Sequence, residues 1–184
     1  DSSKTTIKTP NPASLAHYNV SNDTLTLHDG NIDSPQELQS ISNGNFHHVT
    51  FSNVTLADGA GAGLLDSGAN PAFAHVQTVD VSGINNLASG TYTGSLSDMF
   101  AGDSKLTTIN GMNNWKPLTG VDRTEGMFSG DESLNSDTFS LPSAFKGLSY
   151  NDNDFDKMFN DTGLTSIDLS NLGLNNSNNS KQFN

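Results

Sequence analysis

The chain has 184 residues, a formal net charge of -12 and no cysteine. Its 8 lysine and arginine residues are too few to neutralise a phosphate backbone, which excludes nucleic acid as a partner. The lack of cysteine excludes disulfides, thiolate metal sites and cysteine nucleophiles, and no apolar window is long enough to predict membrane insertion.

The composition favours a fold with much surface per residue. Only 33% of the residues are hydrophobic and only 15% are charged, so small polar residues and glycine make up most of the rest. A repeat array or a β-rich module suits this balance. Intrinsic disorder is the alternative, but the apolar residues recur at regular spacing, which argues against it.

The N-terminal part is predicted to form a leader and a cap. Residues 1–12 are polar, contain two prolines and lack an initiating methionine, which indicates a linker or leader on a processed or excised segment. Residues 22–30 predict a first strand, and Ser34 before Pro35 predicts the start of a helix. We therefore expect residues 13–45 to cap the open end of a repeat array.

A repeated pattern of apolar residues follows. Residues 46–54, 76–84 and 164–172 each carry apolar side chains at relative positions 1, 4, 6 and 9. Subtracting each position-4 residue number from the next gives steps of 24, 30, 30, 30 and 28 for Leu25, Val49, Val79, Ile109, Phe139 and Ile167. Alternation at positions 4 and 6 is typical of a strand with one buried face. The pattern predicts six short parallel strands, with residues 46–184 forming the array.

Met-Phe pairs recur before three of these strands, at residues 99–100, 127–128 and 158–159. We expect each pair to end a short helix whose large side chains fill the core, with the following Gly102 or Gly130 in the left-handed conformation. Residues 180–184 look like the opening of another such helix, so the array is expected to continue beyond the C-terminus.

The repeat resembles that of a known family. Met-Phe-x-Gly, a short loop, Leu-Thr-x-Ile, a tail such as Asn-Asn-Trp and a second Met-Phe are similar to the repeat of the BspA-like leucine-rich-repeat surface proteins of Gram-positive bacteria, lactobacilli among them. The resemblance is good over residues 96–172 and looser over 20–95. It implies an α/β repeat fold: a leucine-rich-repeat-like solenoid with a parallel β-ladder on one face and short helices or loops on the other.

The sequence also departs from the family's repeat. Its repeats are longer, Asp103 and Asp131 replace the Cys or Ser near the Met-Phe-x-Gly turn, and Gly111 and Pro142 interrupt the ladder. Such proteins are typically exported, attached to the cell wall and implicated in adhesion. The resemblance therefore implies an extracellular, wall-attached protein.

Side chains that flank the buried positions should point away from the core. The candidate ligand-binding residues on this exposed face are Thr78, Asp80, Ser82, Thr108, Asn110, Met112, Ser166 and Asp168. The face is hydroxyl-rich, weakly acidic and short of aromatic anchors, which favours weak, multivalent binding of glycans or extended peptide. Alternatively, Thr and Ser simply suit exposed strands.

Catalytic, cofactor and metal sites are not predicted. The five histidines have no nucleophile-elbow motif with them, and the side chains of the adjacent His47 and His48 are expected to face opposite ways on a strand, without further zinc ligands at usable spacing. Asp152, Asp154 and Asp156 resemble the opening of a calcium loop, but no closing Glu follows, which favours an acidic helix cap.

Together with the resemblance, which implies adhesion, these observations predict a non-catalytic adhesion module that engages host mucin or other glycans, matrix protein or an epithelial surface. The chain is expected to be a monomeric segment of a longer protein. A net charge of -12 opposes contact with an anionic partner at neutral pH, and protonation of carboxylates at about pH 4 relieves this repulsion, so binding should strengthen in acid. The alternative is a passive stalk or spacer that displays another domain.

Overall fold

The computed structural model describes residues 17–41, 46–148 and 157–172. These residues form an α/β structure with a mixed sheet and few helices. Its strands are β1 (His17–Ser21), β2 (Thr24–Ile32), β3 (His48–Leu56), β4 (Thr78–Asp80), β5 (Gly94–Ser95), β6 (Thr108–Asn110) and β7 (Val121–Arg123). Its helices are α1 (Asn85–Ala88) and the 3-10 turns Pro35–Ser40, Pro71–Phe73, Met112–Asn114, Ser143–Gly147 and Ser170–Leu172.

The main sheet has the order β1-β2-β3-β4-β6. Strands β1 and β2 form an antiparallel hairpin, and each later pair is parallel. Asn22 and Asp23 at the hairpin turn have φ of +51° and +66°. A tight hairpin favours this left-handed geometry because it matches the twist of the strands, and Asn and Asp tolerate it well.

The apolar pattern aligns four strands in register. Leu25 pairs with Val49, Val49 with Val79, and Val79 with Ile109. The first three of these side chains are buried, and Ile109 is partly buried against the same core. The predicted parallel ladder is therefore confirmed from Leu25 to Ile109.

The prediction of strands at Phe139 and Ile167 is wrong, since neither residue lies in a strand. The backbone N–H of Phe139 donates to Asn135 O at 3.0 Å, so it is engaged in a local turn and cannot pair with β6. The hydroxyl of Thr138 instead donates to Thr107 O at 2.7 Å. Side-chain hydrogen bonds thus replace the backbone ladder after β6.

The Met-Phe pairs lie in turns, so the prediction that each ends a helix is wrong. The three pairs lie in the turn segments 96–103, 124–131 and 157–162. A fourth turn segment, residues 61–68, contains no Met-Phe pair but stacks on the first of these through backbone hydrogen bonds. The segments stack through backbone bonds such as Phe100 N to Met127 O and Phe128 N to Met158 O, each 3.0 Å. The amide hydrogens are used between segments, and a continuous α-helix would need them within one segment.

The predicted roles of the Met-Phe side chains and of the glycines are confirmed. Both residues of the first two pairs and Met158 are buried, and Gly102 and Gly130 have φ of +76° and +81°. The phenylalanine rings form a stack, with Phe128 5.7 Å from Phe100 and 5.8 Å from Phe159 between ring centroids. This stack fills the core behind the turn segments.

The helix predicted after Ser34 is the 3-10 turn Pro35–Ser40, and the Ser34 side chain makes no capping hydrogen bond. Leu38 and Ile41 of this region belong to the same apolar core as the strands and turn segments. In the described part of the chain, no helix is long and apolar enough to cross a membrane.

Candidate functional site: the polar face of the sheet

The outward side of the main sheet carries columns of polar residues in register. One column joins Thr24, His48, Thr78 and Thr108, and the next joins Thr26, Thr50, Asp80 and Asn110. These eight residues, here called the polar face, are exposed or partly exposed. The columns follow from the strand period of two: the residues immediately before and after each position-4 residue point to the face opposite to its buried side chain. Their predicted alignment is confirmed as far as β6.

Two contacts hold side chains of the polar face in fixed orientations. The Nδ1 atom of His48 lies 2.6 Å from the Thr78 hydroxyl. The Asp80 carboxylate accepts from the backbone N–H and the hydroxyl of Ser82, at 2.9 and 2.6 Å. These contacts reduce the conformational entropy that the side chains would lose on binding a ligand.

Three exposed residues form an amide ladder beside the polar face, which the sequence interpretation missed. Asn53 Nδ2 donates to Asp29 Oδ1, and Asn85 Nδ2 donates to Asn53 Oδ1, both at 2.9 Å. Asp29 and Asn53 have φ of +54° and +55°, which turns both out of the strand pairing at equivalent points. Their spacing of 24 residues matches that of Leu25 and Val49 and could have revealed them.

The histidine pair converges on one carboxylate, contrary to the expectation that the two side chains face opposite ways. His47 Nδ1 lies 2.7 Å from Asp23, and His48 Nε2 lies 3.9 Å from the same side chain. The expectation fails because His47 precedes β3, which begins at His48, and so does not share its alternation. No group of three His, Cys, Asp or Glu residues suited to a metal ion occurs among the described residues.

Met112 does not belong to the exposed face, and its prediction there is wrong. Gly111 takes φ of +95°, and the chain turns into the 3-10 helix Met112–Asn114. The Met112 side chain is only 4% exposed and joins the core. The expected outward position assumed that β6 continues past Asn110, where the left-handed Gly111 ends it.

Ser166 and Asp168 are exposed but lie outside the sheet. Asp168 accepts from the backbone N–H of Ser170 at 2.9 Å, which repeats the local Asp80–Ser82 contact. This hydrogen bond holds the pKa of Asp168 below its ordinary value. The structure therefore brings Thr78, Asp80, Ser82, Thr108 and Asn110 together and leaves Ser166 and Asp168 apart from them.

The calcium-loop resemblance at Asp152, Asp154 and Asp156 falls outside the described residues. The polar face offers hydroxyl, imidazole, carboxylate and amide groups on a regular lattice, where strands lie about 4.8 Å apart. Such a surface can exchange hydrogen bonds with hydroxyl or peptide groups of a partner. Neither a family model, nor a curated protein, nor a solved structure matches the chain.

Proposed function

We propose that the chain is a non-catalytic binding module in which the polar face engages a hydroxylated partner, such as a glycan or an extended peptide. The observation that carries this proposal is the register of the polar columns across four strands. A repeating partner could meet equivalent groups on each strand. Individually weak contacts would then add up over several sites and over many copies of the protein.

We further infer that the module is a leucine-rich-repeat-like solenoid. Two parallel ladders support this inference: the strands of the main sheet, and the turn segments joined by Phe100 N to Met127 O and Phe128 N to Met158 O. A chain that returns to both ladders in each repeat winds as a coil around one core. The stacked phenylalanines occupy equivalent places in successive repeats.

The biological setting that we propose is the surface of a Gram-positive cell. It rests on the resemblance of the Met-Phe-x-Gly repeat to the BspA-like surface proteins. The partner would be mucin, another host glycan or a matrix protein, and the role would be adhesion. Carboxylates at Asp80 and around the sheet oppose anionic partners at neutral pH, so contact in acid is favoured.

The test is a glycan and matrix-protein array probed with the wild-type chain and with a variant of the polar face. The variant carries Thr78→Ala, Asp80→Ala, Thr108→Ala and Asn110→Ala. The matched control makes the same types of substitution at exposed residues outside the main sheet: Thr91→Ala, Asp122→Ala, Thr119→Ala and Asn113→Ala.

We expect the control to retain wild-type binding and the polar-face variant to lose at least about tenfold in affinity, provided that circular dichroism shows both to be folded. Equal binding by the two variants would move the site away from the polar face. Absence of binding by the wild-type chain to every probe would favour the passive stalk, which uses the same fold without a ligand.

A further inference from the structure

Two aspartates are buried in the core at equivalent positions of neighbouring turn segments. Asp103 and Asp131 each follow a Met-Phe-x-Gly turn and are 1% and 0% exposed. The backbone N–H of Asp103 donates to Asp131 Oδ1 at 3.1 Å. Both carboxyl oxygens of Asp103, and Oδ2 of Asp131, are buried without a hydrogen-bond partner among the described residues.

The buried side chain of Asn70 differs from these two aspartates, because its polar groups have hydrogen-bond partners. Asn70 donates to Leu38 O at 2.6 Å and accepts from Ala72 N at 3.1 Å, so both ends of its side chain are satisfied. A buried carboxylate without such partners is costly, because it loses its hydration and gains nothing in exchange. The pair therefore needs another means of compensation.

No cation provides that compensation within the described residues. The ion pairs found there involve neither aspartate, and Lys105 near Asp103 is exposed. The charged groups that act on Asp103 are the carboxylates of Asp131 and of Asp66, on the preceding turn segment. Burial raises the pKa of Asp131 to about 9, and burial together with these two carboxylates raises that of Asp103 well above its ordinary value.

We propose that Asp103 and Asp131 form a pH switch in the core: the contact between the turn segments 96–103 and 124–131 requires both carboxyl groups to be neutral, and rising pH weakens the contact because the groups ionise once the segments separate. Asp103 directly follows Gly102, whose backbone N–H donates to Ser129 O at 2.7 Å and so joins the same two segments. Two negative charges at this point repel each other with little solvent screening.

The direction of the effect follows from proton binding. The ordinary pKa of these groups is 3.8, so below that value both the folded and the unfolded chain hold the protons. Above it, the unfolded chain releases them while the folded chain keeps them, and each further unit of pH favours the unfolded state. The stability of the fold should therefore fall continuously as pH rises from about 4 to about 9.

The test is the melting temperature of the wild-type chain in EDTA at pH 5 and pH 8, with 1 M NaCl to screen surface repulsion. We expect a fall of about 10 °C between the two pH values. The Asp103→Asn, Asp131→Asn double variant should lose most of this fall. The control Asp122→Asn, Glu132→Gln removes two exposed charges and should keep it.

If the double variant does not fold, the wild-type chain still decides the question. Amide protection factors at Phe100, Gly102 and Phe128 should drop by at least about tenfold from pH 5 to pH 7, because these amides join the turn segments. A wild-type melting temperature that is equal or higher at pH 8 overturns the proposal. So does stabilisation at pH 8 by added Ca²⁺, because ionised aspartates would then be holding a cation. Neither outcome depends on whether the polar face binds a ligand.

Discussion

His48 Nδ1 lies 2.6 Å from the hydroxyl of Thr78, which is 30 residues further along the chain. The contact exists because His48 and Thr78 are direct partners in the parallel register of β3 and β4. It joins two repeats through side chains on the polar face.

Replacement of Thr78 by Val should remove this hydrogen bond while keeping the β-branched shape. Because the site is half-exposed, we expect the free energy of unfolding to fall by about 0.5–1 kcal/mol, as measured by urea denaturation. Thr26→Val serves as the control, since Thr26 occupies the neighbouring column of the same face. Equal losses for the two variants would show that the contact with His48 adds nothing.

Gly83 should tolerate no side chain. A Cβ atom there would overlap the backbone oxygen of Phe51 in the adjacent strand. We expect Gly83→Ala to cost about 3 kcal/mol or to prevent folding, because the obstacle is backbone that cannot move aside. Gly59→Ala is the control: its φ is +73° but nothing lies within 4 Å, so it should cost only about 1 kcal/mol. A smaller loss at Gly83 than at Gly59 would contradict the packing of β3 against this turn.

Tyr92 should be a structural hydrogen-bonding residue of the turn region. Its hydroxyl donates to Ser95 O at 2.6 Å and accepts from Gly61 N at 3.0 Å. Replacement by Phe leaves both groups unsatisfied, and we expect a loss of about 2 kcal/mol in urea denaturation. Burial raises the pKa of Tyr92 to about 12. An absorbance titration should therefore contain a late-ionising component that Tyr92→Phe removes; a titration curve that Tyr92→Phe leaves unchanged at high pH would contradict the burial of this hydroxyl.

Binding to an anionic glycan should strengthen in acid. The net charge of -12 repels such a partner at neutral pH, and protonation of surface carboxylates removes part of this repulsion at about pH 4. Affinity measured by surface plasmon resonance at constant ionic strength should rise severalfold from pH 7 to pH 4 and lose this dependence in 1 M NaCl. A neutral glycan is the control. The same rise with the neutral glycan would assign the effect to another cause.

The register of the sheet could be predicted from the sequence, because an apolar residue recurs at the same place in each strand, at steps of 24, 30 and 30 residues. Leu25, Val49, Val79 and Ile109 are aligned as their spacing indicates. Phe139 keeps the pattern but lies outside any strand, since its amide bonds to Asn135. A spacing rule contains no information about such local competition for a single N–H group.

The parts of the candidate site that could not be predicted depend on single backbone turns. The spacing of the sequence places Met112 in the exposed column, but the positive φ of Gly111 turns the chain so that the Met112 side chain lies in the core. The amide ladder at Asn53 needed the equivalent left-handed turns in β2 and β3. In the sequence, Asp103 is distinguished only as a departure from the repeat that the chain resembles, since composition says nothing about the burial of a particular carboxyl group.

The most direct test of the proposed binding surface is an NMR titration of the 184-residue chain with the glycan that binds best on the array. Backbone amide shifts report contact at each assigned residue. We expect the largest shift changes in β3, β4 and β6, at Thr50, Thr78, Asp80, Thr108 and Asn110. Changes confined to the turn segments 96–103 and 124–131, with the sheet unaffected, would contradict the proposal.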